Sequence, residues 1–254
     1  MLNVFFEKTG QGPALFILHG LFGSGDNWRT VAKPLAEHYT VYFVDLRNHG
    51  RAPHTATTSY PEMAADILAL CEAEKLNKVS IIGHSMGGKV AMTFALNYPE
   101  RMDQLIVADM GIRAYPPHHA DILAGLHAVD LSTLTQRFEA EQILSGHITD
   151  KGIVQFLLKG LYRTDAGFAW RFNLDTLTRD YNNILSGVSA SQPYDKPVLF
   201  IRGEKSNYVR DADFPAIQEL FPLATLVTIA DAGHWVHADK PQQFMQAVMQ
   251  FLHV

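Results

Sequence analysis

Short apolar runs alternate with helical stretches in both halves of the chain, and the middle breaks that alternation. Ala14–Leu18 (ALFIL), Val41–Asp45 (VYFVD), Val79–Gly83 (VSIIG) and Gln104–Asp109 (QLIVAD) are apolar runs that end at glycine or polar residues. Continuous runs of this length suit strands buried on both faces of a parallel sheet. Helical patterns fall between them, near residues 28–37, 60–75 and 86–97. Tyr98-Pro99 closes the last, because the residue before a proline resists the helical region. From about Gly111 to Gln192 the helical stretches Asp121–Val129, Leu134–Leu144 and Ile153–Leu161 follow one another with no convincing strand. Alternation returns with Pro197–Arg202 (PVLFIR), a helix near Phe214–Phe221, Ala224–Ile229 (ATLVTI) and a helix over Pro241–Leu252, where proline suits the first turn. The pattern predicts an α/β core from residues 1–110 and 193–254, its mostly parallel central sheet flanked by helices, with a helical insertion over 111–192. Ligands of such sheets bind beyond the C-terminal strand ends, so the residues just after each strand carry the chemistry.

Composition narrows the class. A chain of 254 residues with 47% hydrophobic and 19% charged residues can bury a sizeable core. The net charge of −5 and the lack of a basic run argue against a nucleic-acid partner. The one cysteine, Cys71, lies on an apolar stripe with Ile67, Leu68 and Leu70 and reads as a small buried hydrophobe, with no intrachain disulfide. The first residues, MLNVFFEKTG, lack the basic and apolar regions of a signal peptide. No stretch approaches 18 uninterrupted apolar residues, so no membrane span is expected and the expected location is cytoplasmic.

The chemistry begins at Gly83-His84-Ser85-Met86-Gly87, a G-x-S-x-G pattern directly after VSII and, with Gly88, directly before a helix. That context defines a nucleophile elbow, in which a serine sits on a sharp strand-to-helix turn flanked by glycines that remove clashes. A phosphate loop is excluded, because Lys89 is followed by Val90 rather than Ser or Thr. Acyl transfer needs two N–H groups for the developing oxyanion. Met86, after the serine, supplies one, and Leu21 in His19-Gly20-Leu21-Phe22-Gly23, just after ALFIL, supplies the other. Asp231-Ala232-Gly233-His234-Trp235 follows ATLVTI and offers His234 as general base. His237 could share a metal with His234, but no third ligand stands out, so no metal is expected. The acid is open on the residues alone. The usual Gly-x-x-Asp position after PVLFIR reads Gly203-Glu204-Lys205-Ser206. Asp109, ending QLIVAD, is the favoured acid with Ser206 as helper, and Glu204 and Asp231 are the alternatives.

Together His19–Gly23, Asp45-Leu-Arg-Asn-His-Gly50, Gly83–Gly88 and Gly233-His-Trp-Val-His237 resemble the YbfF-type bacterial esterases of the α/β-hydrolase superfamily, over nearly the whole chain. The segment Val154–Lys159 shares the resemblance, and Asp-x-Arg-Asn-His-Gly is its most distinctive part. It implies an α/β-hydrolase fold and hydrolysis of short acyl esters and acyl-CoA thioesters. It also implies an acid at Asp109 with Ser206 assisting. Asn48 and His49 are expected to shape a loop beside the pocket.

An acyl-serine pathway uses water in its second half and needs no cofactor. The insertion is expected to roof the pocket as a cap, with Trp170, Phe172 and Trp235 against the acyl chain. Arg113, within a set of cap cations (His118, His119, Lys151, Lys159, Arg163, Arg171), is expected to hold the phosphates of an acyl-CoA. The same triad could serve a C–C hydrolase or a perhydrolase, and a non-catalytic ligand receptor is the reading from a different class. The chain length of the substrate and the oligomeric state, monomer or dimer, are not written in the sequence.

Overall fold

The computed structural model describes residues 2–254. Strands β1 (Phe5–Thr9), β2 (Ala14–Leu18) and β3 (Thr40–Asp45) lead into helix α1 (Tyr60–Ala73). Then come β4 (Val79–His84), α2 (Met86–Asn97) and β5 (Met102–Ala108). Between β5 and the next sheet strand lie α3 (Ala120–Ala128), α4 (Arg137–His147), α5 (Lys151–Leu158), a hairpin of β6 (Leu161–Thr164) and β7 (Gly167–Trp170), α6 (Leu174–Arg179) and α7 (Tyr181–Leu185). The chain returns through β8 (Val198–Gly203), α8 (Phe214–Leu220), β9 (Ala224–Ile229), α9 (Val236–Asp239) and α10 (Pro241–Leu252).

Seven strands form one sheet in the order β1-β3-β2-β4-β5-β8-β9, all parallel except β1, which runs antiparallel to β3. The inner strands β2 and β4 are buried at every position, which is why their sequences are unbroken apolar runs. Along β2 the pleat sends Phe16 and Leu18 to a core layer with α1 and α2, and Leu15 and Ile17 to a second layer with α10. The chain steps from β2 to β3 on one side and from β4 to β5 on the other. Neighbours β2 and β4 therefore flank the topological switch point, where a crevice opens at the strand ends. The loops that enter it are His19–Gly23 and the turn at Ser85.

Two expectations need correction. Residues 28–37 form no α-helix but two 3-10 turns, Gly25–Trp28 and Lys33–Glu37. Pro34 has no N–H for the Thr30 carbonyl, which the Lys33 N–H takes instead at 3.4 Å. The insertion is not strand-free, since β6 and β7 pair as a hairpin around a turn with Gly167 at φ 127°. These strands are too short and too exposed to show as apolar runs. The antiparallel β1 also escaped prediction, because FFEKT is only partly buried at the sheet edge.

Candidate active site

Strand β4 ends by throwing Ser85 into a backbone conformation of φ 53°, ψ −121°. A non-glycine residue pays about 1–3 kcal/mol for such a conformation, and the surrounding structure must hold it. Backbone hydrogen bonds do so here. The Ser85 N–H bonds to Ala108 O at 3.1 Å, extending the β4–β5 ladder, and Ser85 O takes the Gly88 N–H at 2.8 Å. The flanking glycines answer to space rather than to dihedral angle, since only the serine has a positive φ. A Cβ on Gly83 would lie 2.3 Å from Gly87 O, and one on Gly87 would lie 2.3 Å from Leu18 O.

The Ser85 hydroxyl lies 2.9 Å from His234 Nε2, and His234 Nδ1 lies 2.7 Å from Asp109 Oδ2. A carboxylate only accepts, so Nδ1–H donates to Asp109, and neutral Nε2 is left to accept from the serine. Asp109 is fully buried and left-handed at φ 49°. Its N–H bonds to Ile201 O at 2.7 Å, and its Oδ1 takes the Gly203 N–H at 3.0 Å. The Ser206 hydroxyl donates to Oδ2. The other two carboxylates considered face elsewhere: Glu204 accepts the Asp231 N–H at 2.9 Å, and Asp231 pairs with Lys205 at 2.9 Å.

The loop after β2 closes a tight turn, with Gly23 N–H on Gly20 O at 3.0 Å and Phe22 at φ 61°. His19 braces it. Its Nε2 accepts the Leu46 N–H at 3.1 Å, so its Nδ1–H donates to Gly20 O at 2.8 Å. That arrangement requires a neutral ring, and burial lowers the His19 pKa to about 4. Gly20 brings the loop against the elbow, where an added Cβ would meet Ser85 Cβ at 3.2 Å. Among the described residues, the N–H groups of Leu21 and Met86 have no internal acceptor. They are the kind of free donor that a helix start and a tight turn present to an anion.

Ser85 and His234 open into a cavity of about 1160 Å³. Its walls come from both the core and the insertion: Leu21, Phe22 and Trp235 from the first, Ile153, Phe156 and Leu157 of α5 from the second. Phe156 and Trp235 pack together in this wall, 5.5 Å between ring centres. Trp170 and Phe172 do not line this cavity. They stack on each other at 5.1 Å within the insertion, beside a smaller hollow of about 330 Å³. Arg113 also stays outside, held by Asp213 at 3.3 Å and Asn207 O at 3.0 Å. Of the cap cations only Lys159, with the titratable His118 and His119, reaches the cavity wall. Asn48 and His49 lie outside it. Asn48 ties the loop after β3 to the insertion, its O accepting the Asn173 N–H at 2.9 Å, and His49 packs on His19 at 5.2 Å.

Sequence reasoning missed Tyr208, whose ring stacks on His234. Its N–H reaches Ser206 Oγ at 3.2 Å, and its backbone O accepts the Tyr115 hydroxyl at 2.6 Å. Position alone could have flagged it, since it follows Ser206 in the loop after β8. His84 was missed too. Its Nε2–H donates to His234 O at 2.9 Å and so fixes the loop that carries the imidazole. Among the described residues no group of three metal-ligating side chains occurs.

The model of the alpha/beta hydrolase fold matches residues 13–142 of the sequence. The chain belongs to that family. Among curated relatives of this α/β hydrolase, esterase YbfF of Escherichia coli is 36% identical over 97% of this chain and 95% of its own. The sn-1-specific diacylglycerol lipase ABHD11 of Mus musculus is 39% identical over 94% of this chain and 81% of its own. Among solved structures, a marine microorganism esterase superposes with a TM-score of 0.97 at 43% identity, covering 99% of this chain and all of that one. No helix among the described residues is long and apolar enough to cross a membrane.

Proposed function

We propose that this α/β hydrolase is a serine esterase that cleaves carboxylic esters through an acyl-serine intermediate. The observation that carries the reading is the continuous hydrogen-bonded line from Ser85 Oγ through His234 to buried Asp109. In the first half-reaction His234 Nε2 takes the Ser85 proton as Oγ attacks the ester carbonyl. The carbonyl oxygen becomes an oxyanion beside the Leu21 and Met86 N–H groups. Asp109 holds the imidazole in the tautomer that can accept, and stabilises the imidazolium once it forms. The tetrahedral intermediate expels the alcohol, which takes its proton from His234. Water, deprotonated by the same imidazole, then attacks the acyl-serine, and the acid departs as Ser85 Oγ takes the proton back from His234. The names of the esterase and lipase relatives support this reading.

The mainly apolar lining from Phe22, Ile153, Phe156, Leu157 and Trp235 suits an acyl chain of short to medium length. Acyl-CoA thioesters are the second substrate class, and Lys159 at the wall is the observation that favours them. The test is hydrolysis of p-nitrophenyl esters and acyl-CoA thioesters of increasing chain length by wild type and Ser85→Ala. Turnover that vanishes in the variant is the expected result. No turnover of any ester by the wild type would overturn the esterase reading.

A further inference from the structure

The insertion places an uncharged hydrogen-bond donor on the cavity wall that the acyl-serine pathway does not use. Its origin lies in the three groups that converge on the Tyr181 hydroxyl. The N–H groups of His118 and His119 approach it at 3.4 and 3.2 Å, and His119 Nδ1 lies 2.7 Å away. The two backbone groups can only donate, so they occupy the accepting capacity of the phenol oxygen. Its own proton is then left with one acceptor, His119 Nδ1. An Nδ1 that accepts forces the ring's proton onto Nε2. Burial keeps the ring neutral by lowering its pKa to about 3, with His118 and then His234 adding to the effect. Nε2 has no partner among the described residues, nor is it among the sealed, unsatisfied polar atoms. His119 lines the same cavity as Ser85 and His234.

We infer that His119 Nε2–H is a specificity-determining donor for a second, uncharged oxygen on the alcohol side of the substrate. The class it favours is esters whose leaving alcohol carries an ether, hydroxyl or carbonyl oxygen near the scissile bond. The alcohol side follows from the line of packed groups His119–His118–Tyr208–His234, since His234 is the group that must hand the departing alkoxide its proton. A carboxylate or phosphate on the alcohol is disfavoured, because it would lose its hydration beside a donor that offers no compensating charge. This inference rests on the serine-esterase reading, and the experiment separates the two.

The test compares 2-methoxyethyl butyrate with butyl butyrate, an isosteric pair differing in one ether oxygen. The readout is the ratio of their kcat/KM values, which cancels any general loss of activity in a variant. In His119→Leu and His119→Phe the ratio is expected to fall about three- to ten-fold relative to wild type, the worth of one neutral hydrogen bond. A ratio unchanged in both variants overturns the donor. So does turnover of p-nitrophenyl butyrate with neither alkyl ester accepted, because no alcohol-side pocket then exists. Failure on all three by the wild type defeats the esterase reading itself. Imidazole nitrogen NMR of the wild type is independent of any variant's folding. A pyrrole-like Nε2 and pyridine-like Nδ1 on His119 are expected, and the reverse assignment overturns the proposal.

Discussion

The phenol ring of Tyr208 lies flat against the imidazole of His234, ring centres 3.9 Å apart and planes 20° from parallel. On its far edge the Tyr208 hydroxyl meets His118 Nε2 at 2.5 Å. The stack, and not the hydroxyl, is what restrains the imidazole. Tyr208→Phe is therefore expected to keep kcat within about three-fold of wild type. Tyr208→Ala frees the ring to turn and is expected to lower kcat about ten-fold, with KM less affected. Steady-state kinetics on a p-nitrophenyl ester distinguish the two.

Asp109 and Ser206 differ in how much of the line they carry. Asp109→Asn presents an amide where Nδ1–H needs an acceptor, and a flipped tautomer no longer takes the Ser85 proton. The expected loss in kcat is about 10⁴-fold. Ser206→Ala removes one of the donors to the carboxylate but leaves the Gly203 N–H, and is expected to cost about ten- to a hundred-fold. Equal losses in the two variants would contradict this division.

Gly87→Ala tests the elbow. With its Cβ only 2.3 Å from Leu18 O, the turn must shift against β2, and neither backbone can yield cheaply. The expected cost is about 1–3 kcal/mol of stability, read as a lower urea midpoint, accompanied by loss of activity as Ser85 moves off His234.

Lys89 sets a pH dependence. Its buried amine donates to Arg113 O at 2.8 Å and to Ser186 O, where the chain enters and leaves the insertion. Burial lowers its pKa from 10.5 to about 7, with Arg113 adding to the effect. Below pH 7 both folded and unfolded chains carry the proton, and the folded state bears the full cost of a buried charge. From about 7 to 10.5 the unfolded chain holds more proton than the folded one, so this group's contribution to stability rises with pH. The difference in urea midpoint between wild type and Lys89→Met is expected to move in favour of wild type across that window. A flat difference would show the amine to be unperturbed.

The sheet was legible because β2, β3, β4, β5 and β8 are buried on both faces, and burial on both faces writes itself as a continuous apolar run. The β1 edge and the insertion were not. β1 is half polar, β6 and β7 are four residues each, and the turns before β3 bury Trp28 and Leu35 without forming a helix. In the site, Ser85 was readable from a local motif, since a glycine-flanked serine between strand and helix is a contiguous pattern. Asp109 was less so, because its partners Gly203, Ser206 and His234 lie on other strands' loops and no local spacing links them. Tyr208 was invisible as a functional group, since a ring stack defines it, and His119 was legible only as one of a set of cap cations, since its proton is placed through Tyr181. Trp170 and Phe172 misled because an aromatic pair in an insertion looks the same in sequence whether it faces a cavity or its own core.

His234 follows β9, the last strand added and the outer edge of the sheet, whereas Ser85 and Asp109 follow β4 and β5 near its centre. The base is therefore supplied by the last strand to be synthesised, after those that carry the elbow and Asp109. In the proposed mechanism, hydrolysis requires the final strand to dock and deliver the imidazole. Turnover thus reports on completed topology rather than on compaction. A product truncated before β9 would carry the nucleophile without the means to fire it.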